Sequence, residues 1–167
     1  NSSHTGNILM ERAPWLKNKI KIIWNMIAPI DLGKSPTQEG ERVVFLLGAS
    51  YHDYKNHKNW ILAFVQALNT VESPERYFLK CFGNKLGFEN AKYIEELETI
   101  ISNSRYARNI ELHNEAFELQ EEIIKSNICV LPSFYEGCPN FIIEGMSAGK
   151  VVMMSNVCSN PDILPES

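Results

Sequence analysis

Val43-Val44-Phe45-Leu46-Leu47 closes on Gly48, and a polar stretch then leads into Trp60, Ile61, Phe64, Val65 and Leu68. A short continuous apolar run ending at glycine reads as a buried strand. Apolar residues recurring at steps of three and four read as one face of a helix. The couplet repeats downstream. Tyr77–Phe82 stops at Gly83, and Ile94, Leu97 and Ile101 mark a second helix. Ile110–Leu112 is a shorter strand, followed by a stripe of Phe117, Leu119, Ile123 and Ile124. Ile128–Leu131 closes at Pro132, Phe141–Ala148 reads as a helix ended by Gly149 as its C′ residue, and Val151–Met154 is the fifth strand. Five strands separated by four helices predict an α/β fold, a doubly wound parallel sheet. Strands apolar throughout suit a sheet covered on both faces. Ligands of such sheets bind outside the carboxyl ends of the strands. That selects the loops 48–56, 83–89, 113–116, 132–140 and 155–162.

Toward the front of the chain the pattern changes. Ile20, Ile22 and Trp24 alternate with Lys19, Lys21 and Ile23. The β-branched alternation favours one more strand over an amphipathic membrane-surface helix across 13–27 that would carry Trp15, Trp24 and three lysines. Pro29, Gly33, Pro36 and Gly40 then make 28–42 read as a linker. Two units follow: 1–41, and an α/β domain over 42–167.

Composition bounds the rest. With 167 residues, 44% hydrophobic and 22% charged, the chain has the make-up of an ordinary globular domain. A disordered chain, a collagen-like repeat and a disulfide-dense mini-domain are excluded. A net charge of −4 and a pI near 5.6 argue against nucleic acid as a partner. Residues 1–42 hold six Lys/Arg against four Asp/Glu, so the basic part is the front end and the α/β part is acidic. The four cysteines form no C-x-x-C; Cys81 and Cys129 lie in apolar runs and read as reduced core residues of a cytoplasmic protein. No apolar run approaches a membrane span, and Asn1–Thr5 lack a signal-peptide layout.

The loop after strand four, Pro132-Ser-Phe-Tyr-Glu136-Gly137-Cys138-Pro139-Asn140, leads into a helix holding Glu144. A turn entering a helix points unpaired N–H groups outward and adds the positive end of the dipole, a setting for phosphate. Glu144 can offer two oxygens to a ribose diol, and Glu136 is placed for the hydroxyls of whatever hangs from the phosphates. From pattern alone both read equally as solvated surface glutamates. The loop after strand one carries Lys55 and Lys58, which can pair with phosphate oxygens or be ordinary surface lysines. There is no P-loop, no G-x-G-x-x-G and no D-x-D.

Gly48…Lys55-Asn56-His57…Ala63-Phe64, with LPSFYEGCPNFIIEGMSAGKVV over 131–152, resembles the retaining glycosyltransferases of the group 1 (family four) type. The likeness is to their C-terminal, nucleotide-sugar-binding domain, one of two facing Rossmann-like halves. Ile22-Ile23-Trp24-Asn25 is similar to the strand closing the acceptor domain. The resemblance implies that Glu144 holds the ribose hydroxyls and Glu136 the donor sugar. Gly137, Cys138, Pro139 and Asn140 would set backbone N–H groups near the sugar and phosphates. Lys55, beside Gly48, would neutralise the diphosphate, and His113 and Asn114 fall where the family holds the base, unless they only cap the structure. It further implies a nucleoside-diphosphate-sugar donor, no cofactor and no metal, an acceptor domain absent from this chain, and a cytoplasmic location with peripheral membrane contact. The pattern departs at Ala49, where the family usually has Arg; Lys58 is one cation that could replace it. A non-catalytic nucleotide-binding module and an epimerase or phosphorylase of the same fold remain the rival expectations. The family continues past strand five, so the 167 residues are expected to be an inactive fragment.

Overall fold

The structure, a computed structural model of the chain, describes residues 2–28, 30, 42–84, 88–114 and 119–164. Five strands, β1 (Val43–Gly48), β2 (Tyr77–Phe82), β3 (Ile110–His113), β4 (Ile128–Leu131) and β5 (Val151–Met154), form one sheet in the order β3-β2-β1-β4-β5. Every pairing is parallel, with Leu47 opposite Cys81 on β2 and Val130 on β4. β4, β5 and β2 have the bounds read from the apolar runs.

Alternation along β1 builds two cores. Leu47, with Leu79, Cys81 and Ile110, packs under α2 (His57–Leu68) and α3 (Phe88–Ser102) through Ile61, Phe64, Leu68, Ile94 and Leu97. Leu46, with Phe82, Cys129 and Leu131, packs on the other face under α4 (Leu119–Lys125) and α5 (Asn140–Ser147) through Ile123, Phe141 and Ile142. Each fully buried aliphatic side chain contributes roughly 1.5–3 kcal/mol. Cys81 is at the centre of the first core, where burial pushes its thiol to about 12. α5 ends where Gly149 takes φ +66°, the left-handed residue the sequence placed there.

The order reverses beside β1: the chain winds outward to β3, then returns to set β4 on the opposite side of β1. Loops leaving β1 and β4 therefore diverge from neighbouring strands at a topological switch point, where doubly wound sheets open a crevice.

The front end departs from expectation. Residues 20–28 form neither the strand nor the amphipathic helix. Of the alternating residues, Ile22 packs on α1 (Ser3–Arg12), an element not anticipated from the sequence, where a Cβ on Gly6 would lie 2.8 Å from Ile22 Cδ1, while Trp24 is exposed. Ser2 caps α1, its hydroxyl accepting from the Thr5 N–H at 3.0 Å, and Ser3 and His4 join it to Ser159 and Asp162 after β5. Pro29 and most of the expected linker, together with Phe117, lie outside the described residues. Among the described residues, no helix is long and apolar enough to cross a membrane.

Candidate functional site

The two switch-point loops are stitched together. Asn56, in the left-handed conformation between a short 3-10 turn (Asp53–Lys55) and α2, donates its side-chain N–H to the Pro132 carbonyl at 3.1 Å. The Phe134 N–H donates to the Tyr54 carbonyl at 2.8 Å, and the Tyr54 and Tyr135 rings stack with centroids 4.7 Å apart. This closure brings Lys55 onto Glu136, Nζ to Oε1 at 2.5 Å, with both side chains largely buried. Ser133 Oγ donates to the same Oε1 at 2.6 Å. The sequence nominated Lys55 and Glu136 separately, for phosphate and for sugar. Their pairing across 81 positions is a product of the sheet order.

α5 begins at Asn140, directly beyond this pair. Here one expectation is corrected: Pro139 has no N–H, and the Asn140 N–H is already given to the Cys138 carbonyl at 3.0 Å. Among the described residues, the N–H groups of Gly137, Cys138 and Phe141 are the ones near the α5 start without a backbone acceptor. Glu144 is half-buried one turn along the helix, and burial pushes its carboxyl above the usual carboxylate range. No described residue hydrogen-bonds its carboxylate. Asn25, from the front segment, donates to Asn140 Oδ1 at 2.6 Å, so that segment borders the site.

Gly48 has a packing reason. A Cβ there would sit 2.5 Å from Phe141 Cδ2, so the end of β1 and the first turn of α5 touch. His113 and Asn114 stand at the end of β3, two strands from β1. The His113 ring stacks on Phe82 at 4.3 Å and its Nε2 pairs with Glu111 at 2.8 Å. Lys58, the suggested replacement for the arginine missing at position 49, pairs with Glu96 on α3. A cavity of about 560 Å³ between the starts of α2 and α3, lined by Tyr51, His52, Asp53, Lys58, Tyr93 and Glu96, holds Lys58 but neither Lys55, Glu136 nor Glu144.

Two supporting residues had no role assigned to them from the sequence, although His57 lies within the stretch that carries the resemblance. Tyr51 is fully buried, and its hydroxyl meets the carbonyls of Cys81 at 2.8 Å and His113 at 2.9 Å, pinning the β1 loop across β2 and β3. His57, fully buried at the start of α2, faces the Tyr51 and Tyr93 rings, and among the described residues neither ring nitrogen makes a hydrogen bond of good geometry, the Ala49 carbonyl being a poorly aligned neighbour. Burial lowers its pKa to about 4, with Lys55 and His52 adding to the effect against the opposing pull of the Ala49 carbonyl. Tyr51 before Lys55 and His57 after it carry no periodic signal that would have assigned them a supporting role.

Comparison with known proteins bears on this geometry. The family described as glycosyl transferases, group 1, matches residues 41–167. Among solved structures, a glycosyltransferase from Rickettsia africae superposes with a TM-score of 0.80 at 16% identity, over 99% of this chain and 45% of that one. HepE from Anabaena, in complex with UDP and glucose, gives 0.67 at 17% identity over 84% of this chain and 37% of that one. The C-terminal domain of the group 1 glycosyl transferase LpcC from Francisella tularensis gives 0.63 at 15% identity, over 86% and 72%. No curated protein matches in sequence. The chain thus spans less than half the length of the first two. At these identities the structures speak for the fold, and the family match over three quarters of the sequence speaks for membership: the chain belongs to the group 1 glycosyl transferases.

Proposed function

We propose that this chain is the donor-binding domain of a retaining glycosyltransferase, taking a nucleoside-diphosphate sugar whose sugar passes to a glycan, lipid or other acceptor. The observation that carries the reading is the meeting of Lys55, Glu136 and the α5 start at the β1/β4 switch point. Phosphate is recognised by N–H groups at a helix start together with a cation, and both are present within one loop pair.

In this reading the diphosphate lies against the Gly137, Cys138 and Phe141 N–H groups and shares Lys55 with Glu136. An ammonium has three protons to donate, so one lysine can serve a carboxylate and a phosphate together. As the glycosidic bond to the diphosphate breaks, negative charge grows on the leaving phosphate, and groups already fixed in place stabilise it without reorganising. The charge neutralisation comes from Lys55 and the helix start rather than from a divalent cation. Glu136 orients the sugar, Glu144 takes the ribose diol, and His113 and Asn114 flank the base. The UDP and glucose held by the Anabaena neighbour support a donor of this class.

Residues 1–41 are read as the end of an acceptor-side domain with its connection, and 42–167 as the donor domain. Trp15, Ile23 and Met26, 74%, 70% and 96% exposed, offer an apolar surface for the acceptor side, and Lys17, Lys19 and Lys21 would favour the inner face of a membrane in the cytoplasm. Alignment of donor with acceptor is a large share of the barrier reduction in group transfer. The chain alone is therefore expected to bind donor and transfer nothing. Thermal melting with UDP, GDP, ADP and CDP tests the reading: one of them should raise the midpoint, because a ligand of the native state stabilises it by mass action. No shift with any at millimolar concentration would contradict it.

A further inference from the structure

Glu136 is held by one oxygen only. Lys55 Nζ at 2.5 Å and Ser133 Oγ at 2.6 Å both meet Oε1, and no described residue hydrogen-bonds Oε2. Ser133 is fully buried, and the backbone carrying it is fixed from three sides. Its carbonyl accepts the Ser155 hydroxyl, the Pro132 carbonyl before it accepts Asn56 Nδ2 at 3.1 Å, and the Ser155 carbonyl accepts the Nδ2 of buried Asn160 at 2.9 Å. A hydroxyl has one proton to give, and here it goes to the carboxylate. Two donors on a single oxygen restrict rotation about the terminal Glu136 torsion, which is otherwise broad. The effect is to keep Oε2 as the unclaimed acceptor.

We infer that Ser133 is a positioning residue for donor-sugar recognition: it fixes the Glu136 carboxylate through Oε1 so that Oε2 accepts from a hydroxyl of the sugar. The inference rests on the donor-site reading above. It assigns Lys55 and Ser133 different parts. Lys55 reaches both the carboxylate and the phosphate, whereas Ser133 reaches only the carboxylate. Loss of the serine hydroxyl should therefore be felt by ligands that carry a sugar and not by the bare diphosphate. A role confined to bracing the turn would weaken both alike, because the α5 N–H groups follow the same loop.

The test is calorimetric binding of UDP against UDP-glucose, with GDP against GDP-mannose in parallel, to the parent chain, Ser133→Ala, Glu136→Ala and the double variant. Ser133→Ala is expected to weaken the nucleotide sugar about tenfold, the scale of a hydrogen bond to a charged group, and the nucleoside diphosphate less than about twofold. In the Glu136→Ala background the same serine change should have no further effect, because the serine acts through the glutamate. Ser133→Thr keeps the hydroxyl and should keep the preference of the parent, which guards against an alanine variant that melts early. Equal weakening of both ligands, or an effect that persists without Glu136, overturns the inference while leaving the donor site intact. The matched pair is taken on whichever base raises the melting midpoint; a parent chain that binds no nucleoside diphosphate and no nucleotide sugar overturns the donor-site reading itself, and the role of Ser133 falls with it.

Discussion

Replacing Gly48 by alanine should damage the site from beneath. The added Cβ would lie 2.5 Å from Phe141 Cδ2, 2.6 Å from Cε2 and 3.0 Å from Cγ. Carbon atoms rest at about 3.5–4.0 Å, so the ring must retreat by roughly 1 Å. It has little room, being 7% exposed and packed among the second core cluster. Overpacking of this kind costs about 1–3 kcal/mol, and the strand gains back about 0.5–1 kcal/mol by exchanging glycine for alanine. The net expectation is a loss of about 1 kcal/mol in urea denaturation, with the two ranges spanning about 0 to 2.5 kcal/mol. Because Phe141 is the second residue of α5, its retreat moves the N–H groups proposed for the diphosphate, so UDP binding should weaken as well. Phe141→Leu vacates the ring edge. In the Gly48→Ala, Phe141→Leu double variant the two costs should sum to less than the single effects, with a coupling of about 1 kcal/mol. Strictly additive costs in the double variant, with UDP binding of Gly48→Ala unchanged, would refute the claimed contact between β1 and α5.

Three further outcomes follow from the same geometry. Glu144→Ala should weaken nucleoside diphosphate binding by about 1.5–3 kcal/mol if the carboxylate takes the ribose diol, read by calorimetry; equal affinity would remove that role. His57, with its pKa lowered from 6.5 to about 4, is neutral in the native state, so its contribution is complete above pH 6.5 and is lost as pH falls toward 4. That amounts to at most about 3 kcal/mol. His57→Phe should flatten the fall in stability over this window relative to the parent, and parallel curves would contradict the burial argument. Glu144, pushed the other way, gains on protonation in both proteins and cancels from the comparison. Tyr51→Phe, which strips a hydroxyl from two strand-end carbonyls, should cost about 1–2 kcal/mol in chemical denaturation, and no loss would show that the β1 loop is held otherwise.

What the sequence disclosed was whatever depends on local period. Ile128–Leu131 is apolar at every position because both faces of this inner strand are covered, whereas Val151–Met154 lies at the sheet edge with Val151 and Met153 exposed; the bounds of both could be read directly from the apolar runs. Gly149 was legible because a left-handed residue ends α5. The front segment misled because alternation has more than one cause. Ile22 is half-buried against α1 rather than by a neighbouring strand, and Trp24, two positions on, is exposed, so the alternation did not mark a buried face. α1 itself left a faint trace, a serine cap at Ser2 followed by a short, weakly patterned stretch. At the candidate site, the residue types were legible one loop at a time. The Lys55–Glu136 pair and the Ser133 contact were not, since they arise where β1 and β4 become neighbours, and that adjacency is set by the crossover. The N–H supply at the α5 start was also overestimated, because only coordinates show that Asn140 has spent its donor on Cys138.

The central claim is that one site divides a nucleotide sugar between Glu136 for the sugar and the Lys55 and α5 start for the phosphates. Calorimetry of the parent and Glu136→Ala with matched pairs of nucleoside diphosphate and nucleotide sugar measures that division directly. The parent should bind both members of one pair, and Glu136→Ala should keep the diphosphate affinity while losing the increment contributed by the sugar. An equal loss of both affinities, or no binding of either by the parent, would contradict it.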